Sequence, residues 1–68
     1  MSDREREIEE NKDKIRELER YADEKRAAIR AAENDREEQK RQERKLEEAK
    51  EEIRRKEKEN DALKELQK

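Results

Sequence analysis

The sequence lacks most of the residue types that interrupt helices. It contains no glycine, proline, cysteine, histidine, phenylalanine or tryptophan. Without glycine and proline the chain has no strong helix breaker, and without cysteine it forms no disulfide. No run of apolar residues reaches five, which argues against a membrane span or the apolar core of a signal peptide. The default expectation is therefore a soluble, cytoplasmic protein.

The same absences leave few groups for catalysis or ligand binding. Because histidine, cysteine and threonine are missing and Ser2 is the single serine, a nucleophile and its base cannot be paired in the usual ways. No glycine-rich loop is available to hold a phosphate, and the acidic clusters lack the spacing of a calcium-binding loop. Acidic residues interrupt the basic ones, which argues against nucleic-acid binding. We expect no enzyme activity, cofactor, metal, small-molecule ligand, nucleic acid or membrane partner.

What the chain does contain is charge. Charged residues make up 65% of the 68 residues, and 21 basic and 23 acidic side chains are interleaved to give a net charge of -2. The common residues, Glu, Lys, Arg, Ala and Leu, are those that favour helices. The large aliphatics are too few for the core of a globular monomer. They are Ile8, Ile15, Leu18, Ile29, Leu46, Ile53, Leu63 and Leu66. The composition predicts an all-α protein that needs a partner chain to be stable and would otherwise stay partly disordered.

Apolar residues between 8 and 32 recur at two positions of a seven-residue repeat. With Ile8 at position a, Ile15, Ala22 and Ile29 are also a positions, and Leu18 is a d position. This spacing is typical of the seam of a coiled coil. We use the term association seam for the residues that we predict to make this contact. The association seam comprises Ile8, Asn11, Ile15, Leu18, Ala22, Ile29, Ala32, Leu46, Ile53 and Asn60.

The expected architecture is one long continuous helix that forms a parallel coiled coil. Ser2 and Glu5 have the spacing of a capping box, so the helix should begin near residue 3. No clear stop signal follows, and a helix of this length would extend roughly 100 Å. The chain then forms a single extended helical segment, 1–68, with a main heptad seam at 8–32, a polar middle at 33–45 and a weaker seam at 46–67.

A helical hairpin with a turn near Asn34 and Asp35 is one alternative. Asp35 with Glu38 could cap a second helix much as Ser2 caps the first. Against this alternative, residues 33–45 contain no apolar residue that two helices could bury beside the turn. The heptad register after residue 32 stays open, because Leu46 fits position d of the first repeat or position a of a shifted one. The shifted register makes Ala49, Lys56 and Leu63 the d positions.

Charges beside the seam favour a parallel pair of chains. In a parallel, in-register assembly the paired charges are all opposite: Glu7 with Lys12, Lys14 with Glu19, Asp35 with Lys40, and Lys56 with Asp61. An antiparallel pair that stacks Ile15 on Ile53 brings like charges together, whereas sliding it by one heptad brings opposite charges together. A staggered antiparallel coiled coil is therefore a second alternative. Within one helix, opposite charges are more frequent at i,i+3 than at i,i+4.

Over most of its length the chain resembles coiled-coil proteins as a class, and its restricted alphabet also resembles that of a de novo designed helix. Residues 14–19 resemble a short trimerisation pattern. Tyr21 and Ala28 lie beside the seam and are possible contacts for a partner helix. The sequence therefore predicts a structural element that self-associates as a dimer or trimer. The alternatives are a monomeric charged spacer and the partner-binding helix of a larger coiled-coil protein.

Overall fold

The chain folds back on itself as a hairpin of two α-helices. The computed structural model describes residues 2–66, in which α1 spans Asp3–Ala31 and α2 spans Arg36–Leu66. The helices are antiparallel, because Asn11 contacts Asn60 near the open end while Ile29 contacts Gln39 beside the turn. The hairpin is 51 Å long and 16 Å across. The predicted segment bounds at Met1, Gln67 and Lys68 lie outside the described residues.

This fold confirms the all-α prediction and corrects the prediction of one continuous helix. The helix stops after Ala31 and restarts at Arg36, so the hairpin alternative describes the chain. The physical reason is that the second half of the chain contains its own heptad series, which the first half can bury. A parallel pair of chains involves a second copy and stays a prediction.

The first helix begins where its capping residues predict. Ser2 has an extended backbone with φ of -72° and ψ of 160°, and its Oγ accepts a hydrogen bond of 3.2 Å from the backbone N–H of Glu5. The carbonyl of Ser2 accepts from the N–H of Arg6 at 3.1 Å. The first bond satisfies one of the backbone N–H groups that a helix start leaves unpaired, and the second is the first i,i+4 bond of the helix itself.

Residues 32–35 form the turn between the helices. Asp35 donates its backbone N–H to the carbonyl of Ala32 at 2.9 Å, which closes the turn. The Oδ1 of Asp35 then accepts from the N–H of Glu38 at 3.2 Å, as expected of a residue that caps α2. A second hairpin contact runs from Nε2 of Gln39 to the carbonyl of Ile29, at 3.2 Å. This bond occupies a carbonyl near the end of α1 that has no helical partner.

The two helices meet through a heptad series on each. A layer is here one residue of α1 or the turn together with the residue that faces it across the interface. In every layer, both residues are the same number of positions from the midpoint between Asp35 and Arg36. The contacts of Asn11 with Asn60 and of Ala22 with Ala49 establish this register. The layers are Ile8/Leu63, Asn11/Asn60, Ile15/Lys56, Leu18/Ile53, Ala22/Ala49, Lys25/Leu46, Ile29/Gln42 and Ala32/Gln39. Every residue in these layers is buried or half-buried.

Candidate functional site: the interface between the helices

The predicted association seam lies at the interface between α1 and α2 of the same chain. None of its members is fully exposed. The buried members are Ile8, Asn11, Ala22, Leu46 and Asn60, and the half-buried members are Ile15, Leu18, Ile29, Ala32 and Ile53. The structure therefore brings together residues from both halves of the sequence. Contact of the same residues with a second chain stays a prediction.

Small side chains form the most deeply buried part of the interface. Ala22 and Ala49 retain only 2% and 3% of their accessible surface, and Leu46 packs with them at 8%. Ile29 packs against this cluster from the turn side. Because the distance between packed helices depends on the side chains at the contact, the paired alanines allow the two backbones to approach there, and Leu46 and Ile29 fill the space beside them.

A polar network replaces the apolar core toward the open end. Asn11 donates from Nδ2 to Oδ1 of Asn60 at 2.9 Å and also lies 3.3 Å from Oε2 of Glu59. Asn60 donates from Nδ2 to the carbonyl of Ile8 at 3.3 Å. Both asparagines are 5% exposed. Because a buried polar group without a partner is costly, these bonds specify the pairing of this layer.

Gln42 is the buried residue that the sequence reasoning missed. It is 8% exposed, and its Nε2 donates to Oε1 of Glu38 at 2.7 Å. Among the described residues, its Oε1 is a buried side-chain atom without a hydrogen-bond partner. Counting back from Leu46 in steps of four and three gives Gln42 and Gln39, so the heptad spacing carried the signal. Because glutamine is polar, a pattern of apolar residues alone does not predict that these positions are buried.

Charges beside the interface are complementary in this register. We number the heptads with Ile8 at position a of α1 and Leu46 at position a of α2. Position e of α1 then lies across from position e of α2, and in every such pair the charges are opposite. These pairs are Glu5/Lys64, Lys12/Glu57, Glu19/Lys50, Arg26/Glu43 and Glu33/Arg36. The ion pairs within 4.0 Å among residues 2–66 are all i,i+3 pairs inside one helix, in agreement with the predicted i,i+3 preference. The cross-helix charges therefore favour the register at longer range.

The residues predicted to form charge pairs between chains lie outside the apolar layers, apart from Lys56. Lys12 pairs with Glu9 at 3.4 Å, and Lys56 is half-buried and pairs with Glu59 at 3.7 Å. The exposed members are Glu7, Lys12, Lys14, Glu19, Asp35, Lys40 and Asp61. Their pairing with a second chain stays a prediction.

Tyr21 lies on the rim of the interface and is 39% exposed. The Nζ of Lys25 lies 4.9 Å from the centre of its ring, a distance typical of a cation–π contact. Tyr21 also lines a shallow groove with Leu18, Ala49 and charged side chains of α2. Ala28, the other possible partner contact, is half-buried. The rim around Tyr21 therefore combines an aromatic ring with small and aliphatic side chains.

The side chains at the interface between α1 and α2 can pack against another helix and pair with its charges. In the part of the chain that the structure describes, no three acidic side chains converge as a metal site would require. Neither α1 nor α2 has a stretch both apolar and long enough to cross a bilayer. No family model matches the chain, and neither a curated protein nor a solved structure matches it.

Proposed function

We propose that this protein is a structural coiled-coil element that self-associates and has no catalytic activity. The observation that carries the proposal is the burial of one heptad series from each helix against the other, with Asn11 bonded to Asn60 at its polar layer. A surface built from alternating apolar layers and flanking charges is suited to holding helices together and to selecting their orientation.

The incomplete closure of the interface supports self-association. Of the large aliphatic residues, Ile8 and Leu46 are buried, whereas Leu66 is 61% exposed. The others, Ile15, Leu18, Ile29, Ile53 and Leu63, keep part of their surface in contact with water. Removing this remaining apolar surface from water favours association with a second copy or with another helix. A dimer or trimer would bury what two helices leave open.

A monomeric spacer is the alternative function, and a specific observation favours it. The hairpin already buries much of its own association seam, so a single chain is a rigid rod 51 Å long.

The opposite charges at every pair of e positions across the two helices also support the hypothesis that the sequence is a de novo design. A partner-binding role would use the rim around Tyr21 and Ala28.

Sedimentation equilibrium and circular dichroism over a concentration series test the proposal. We expect the average mass to rise with concentration while the helicity stays high or rises with it. Ile15→Asn, which places a polar amide in a seam layer, should shift the chain toward monomer. Glu17→Asn is the matched control, because Glu17 is exposed, lies two residues away and belongs to neither the association seam nor the predicted charge pairs. A mass that stays monomeric at all concentrations would favour the spacer.

A further inference from the structure

The turn contains nothing that prevents it from becoming helical. Residues 32–35 include neither glycine nor proline, and no described residue has a positive φ. Ala32, at φ of -93° and ψ of 27°, still donates its N–H to the carbonyl of Ala28 at 3.0 Å, as a helix would. A change of backbone dihedrals confined to residues 32–35 would therefore join α1 and α2 into one helix.

The interface is symmetric about the turn. Because the residues of each layer are equidistant from the midpoint between Asp35 and Arg36, a second copy aligned antiparallel about that midpoint presents the same residues to the same partners. Asn11 of one chain would meet Asn60 of the other, and Ala22 would meet Ala49, as they do within the hairpin. Each layer of the hairpin is then formed twice in a dimer of two extended helices.

The charges beside the seam follow the same symmetry. Every opposite-charge pair at the e positions is retained between two extended chains, and Asp35 of one copy comes to lie across from Arg36 of the other. Straightening the turn breaks three local hydrogen bonds: the Asp35 N–H to the Ala32 carbonyl, the Asp35 cap on Glu38, and the bond from Gln39 to the Ile29 carbonyl. In a continuous helix that carbonyl accepts the N–H of Glu33 instead.

We propose that the chain exchanges α2 with a second copy of itself, by straightening residues 32–35 into helix. The product is an antiparallel dimer of two continuous helices, about 100 Å long, with the hairpin's own interface between the chains. This inference rests on the proposed function and specifies its partner and geometry. Exchange of an identical element is a low-cost route to a dimer, and a short hinge favours it.

The test measures mass and length on the full chain and on two variants that shift the hinge in opposite directions. Asn34→Ala with Asp35→Glu weakens the α2 cap and raises helix propensity, while it keeps the negative charge that lies across from Arg36 in the dimer. We expect it to lower the dimer dissociation constant by roughly tenfold or more, since both chains lose a capping bond in the closed form. Inserting Gly-Gly after Glu33 should weaken the dimer by a similar factor, because it disfavours a continuous helix.

Ser2→Ala is the matched control for the cap. Its Oγ accepts from Glu5 N at 3.2 Å, the same distance as the Asp35 cap, but Ser2 lies at the free end. We expect it to leave the dissociation constant unchanged. An equal effect of Ser2→Ala, or no effect of the hinge variants, would overturn the exchange.

Small-angle scattering and a spin label at Asp13→Cys, an exposed position outside the interface, separate the exchanged dimer from other dimers. The exchanged dimer predicts a rod of about 100 Å with labels about 70 Å apart. A dimer only 51 Å long would consist of closed hairpins, and labels within about 20 Å would indicate parallel chains. Either result overturns the proposed exchange while leaving self-association intact. A monomer at all concentrations would overturn the proposed function as well.

Discussion

The side-chain amide of Asn11 donates a hydrogen bond of 2.9 Å to Oδ1 of Asn60, across the two helices and out of contact with bulk water. This pair is the one layer in which both residues are polar, whereas every other layer contains at least one apolar residue. An asparagine at a core position can fix register at a cost in stability, and here each asparagine supplies the partner that the other requires. The register between α1 and α2 is therefore specified by the hydrogen bond between the two asparagines as well as by the burial of apolar residues.

The first prediction concerns this asparagine pair. Asn60→Ala removes the 2.9 Å acceptor of Asn11, which keeps only the longer contact with Glu59, and it also removes the donor to the Ile8 carbonyl. We therefore expect a loss of about 1–3 kcal/mol in the free energy of unfolding. Replacing both asparagines with leucine should be nearly neutral or stabilising, because no polar group is then left unpaired. Urea unfolding followed by circular dichroism measures both effects. Glu10→Gln, on the exposed face of α1, is the control. If Asn60→Ala costs no more than this control, the bond does not contribute to stability.

The second prediction concerns the unpaired oxygen of Gln42. Because its Oε1 is buried without a partner and the layer also contains Ile29, Gln42→Leu should raise the free energy of unfolding by about 1 kcal/mol or more. Thermal unfolding measures the gain. Gln39→Leu provides the contrast, since Gln39 donates to the backbone carbonyl of Ile29. The bond that Gln42→Leu removes is made to the Glu38 carboxylate, which is 36% exposed and also pairs with Arg41. Equal effects of the two substitutions would contradict the assignment.

The third prediction compares two leucines of α2. Leu46 is 8% exposed and packs in the alanine cluster, whereas Leu66 is 61% exposed. Leu46→Ala should lower the free energy of unfolding by about 2–4 kcal/mol, through lost burial and the cavity that remains. Leu66→Ala should change it by less than about 0.5 kcal/mol, because the Arg4 bond is made to its backbone carbonyl and is retained. Chemical unfolding at one protein concentration makes the comparison.

The fourth prediction tests the charges beside the interface. Glu19→Lys and Lys50→Glu each place like charges across from one another, so each should destabilise the hairpin by about 0.2–1 kcal/mol, and the double exchange should recover that loss. A double-mutant cycle removes the separate effect of the Glu47 to Lys50 pair inside α2. Because exposed charges are screened, the coupling should shrink in about 1 M salt. A coupling of zero at low salt would show that these charges do not favour the register.

The sequence predicted the helical character of the chain and the start of α1 correctly, because those signals are local, but it predicted one helix where there are two. Ser2 and Glu5 identified the start of α1, and Asp35 with Glu38 was recognised as a possible start of a second helix. The spacing of Ile8, Ile15 and Ala22 identified the buried face. These features depend on residues within a few turns of one another, where helix geometry alone determines which side chains lie together.

The sequence argued against a turn at Asn34 and Asp35 because the residues that follow it are polar. Residues 33–45 contain no apolar side chain, yet Gln39 and Gln42 occupy layers opposite Ala32 and Ile29 with their amides bonded to Ile29 and Glu38. A glutamine can be buried when its amide finds partners, and a search for apolar residues overlooks it. The charge pairs at the e positions also become visible only once the two halves are aligned.

The sequence by itself determined that this protein is helical and which face of its first half is buried, since both follow from composition and a seven-residue period, while the register after residue 32 stayed open. Only the tertiary structure decided that the two faces belong to one interface, with Asn11 on Asn60 and Ala22 against Ala49. The reason is physical: one heptad series can be buried by any complementary series, whether from a second copy or from the same chain. The balance between those partners depends on a few residues at the turn and on the register that aligns distant charges.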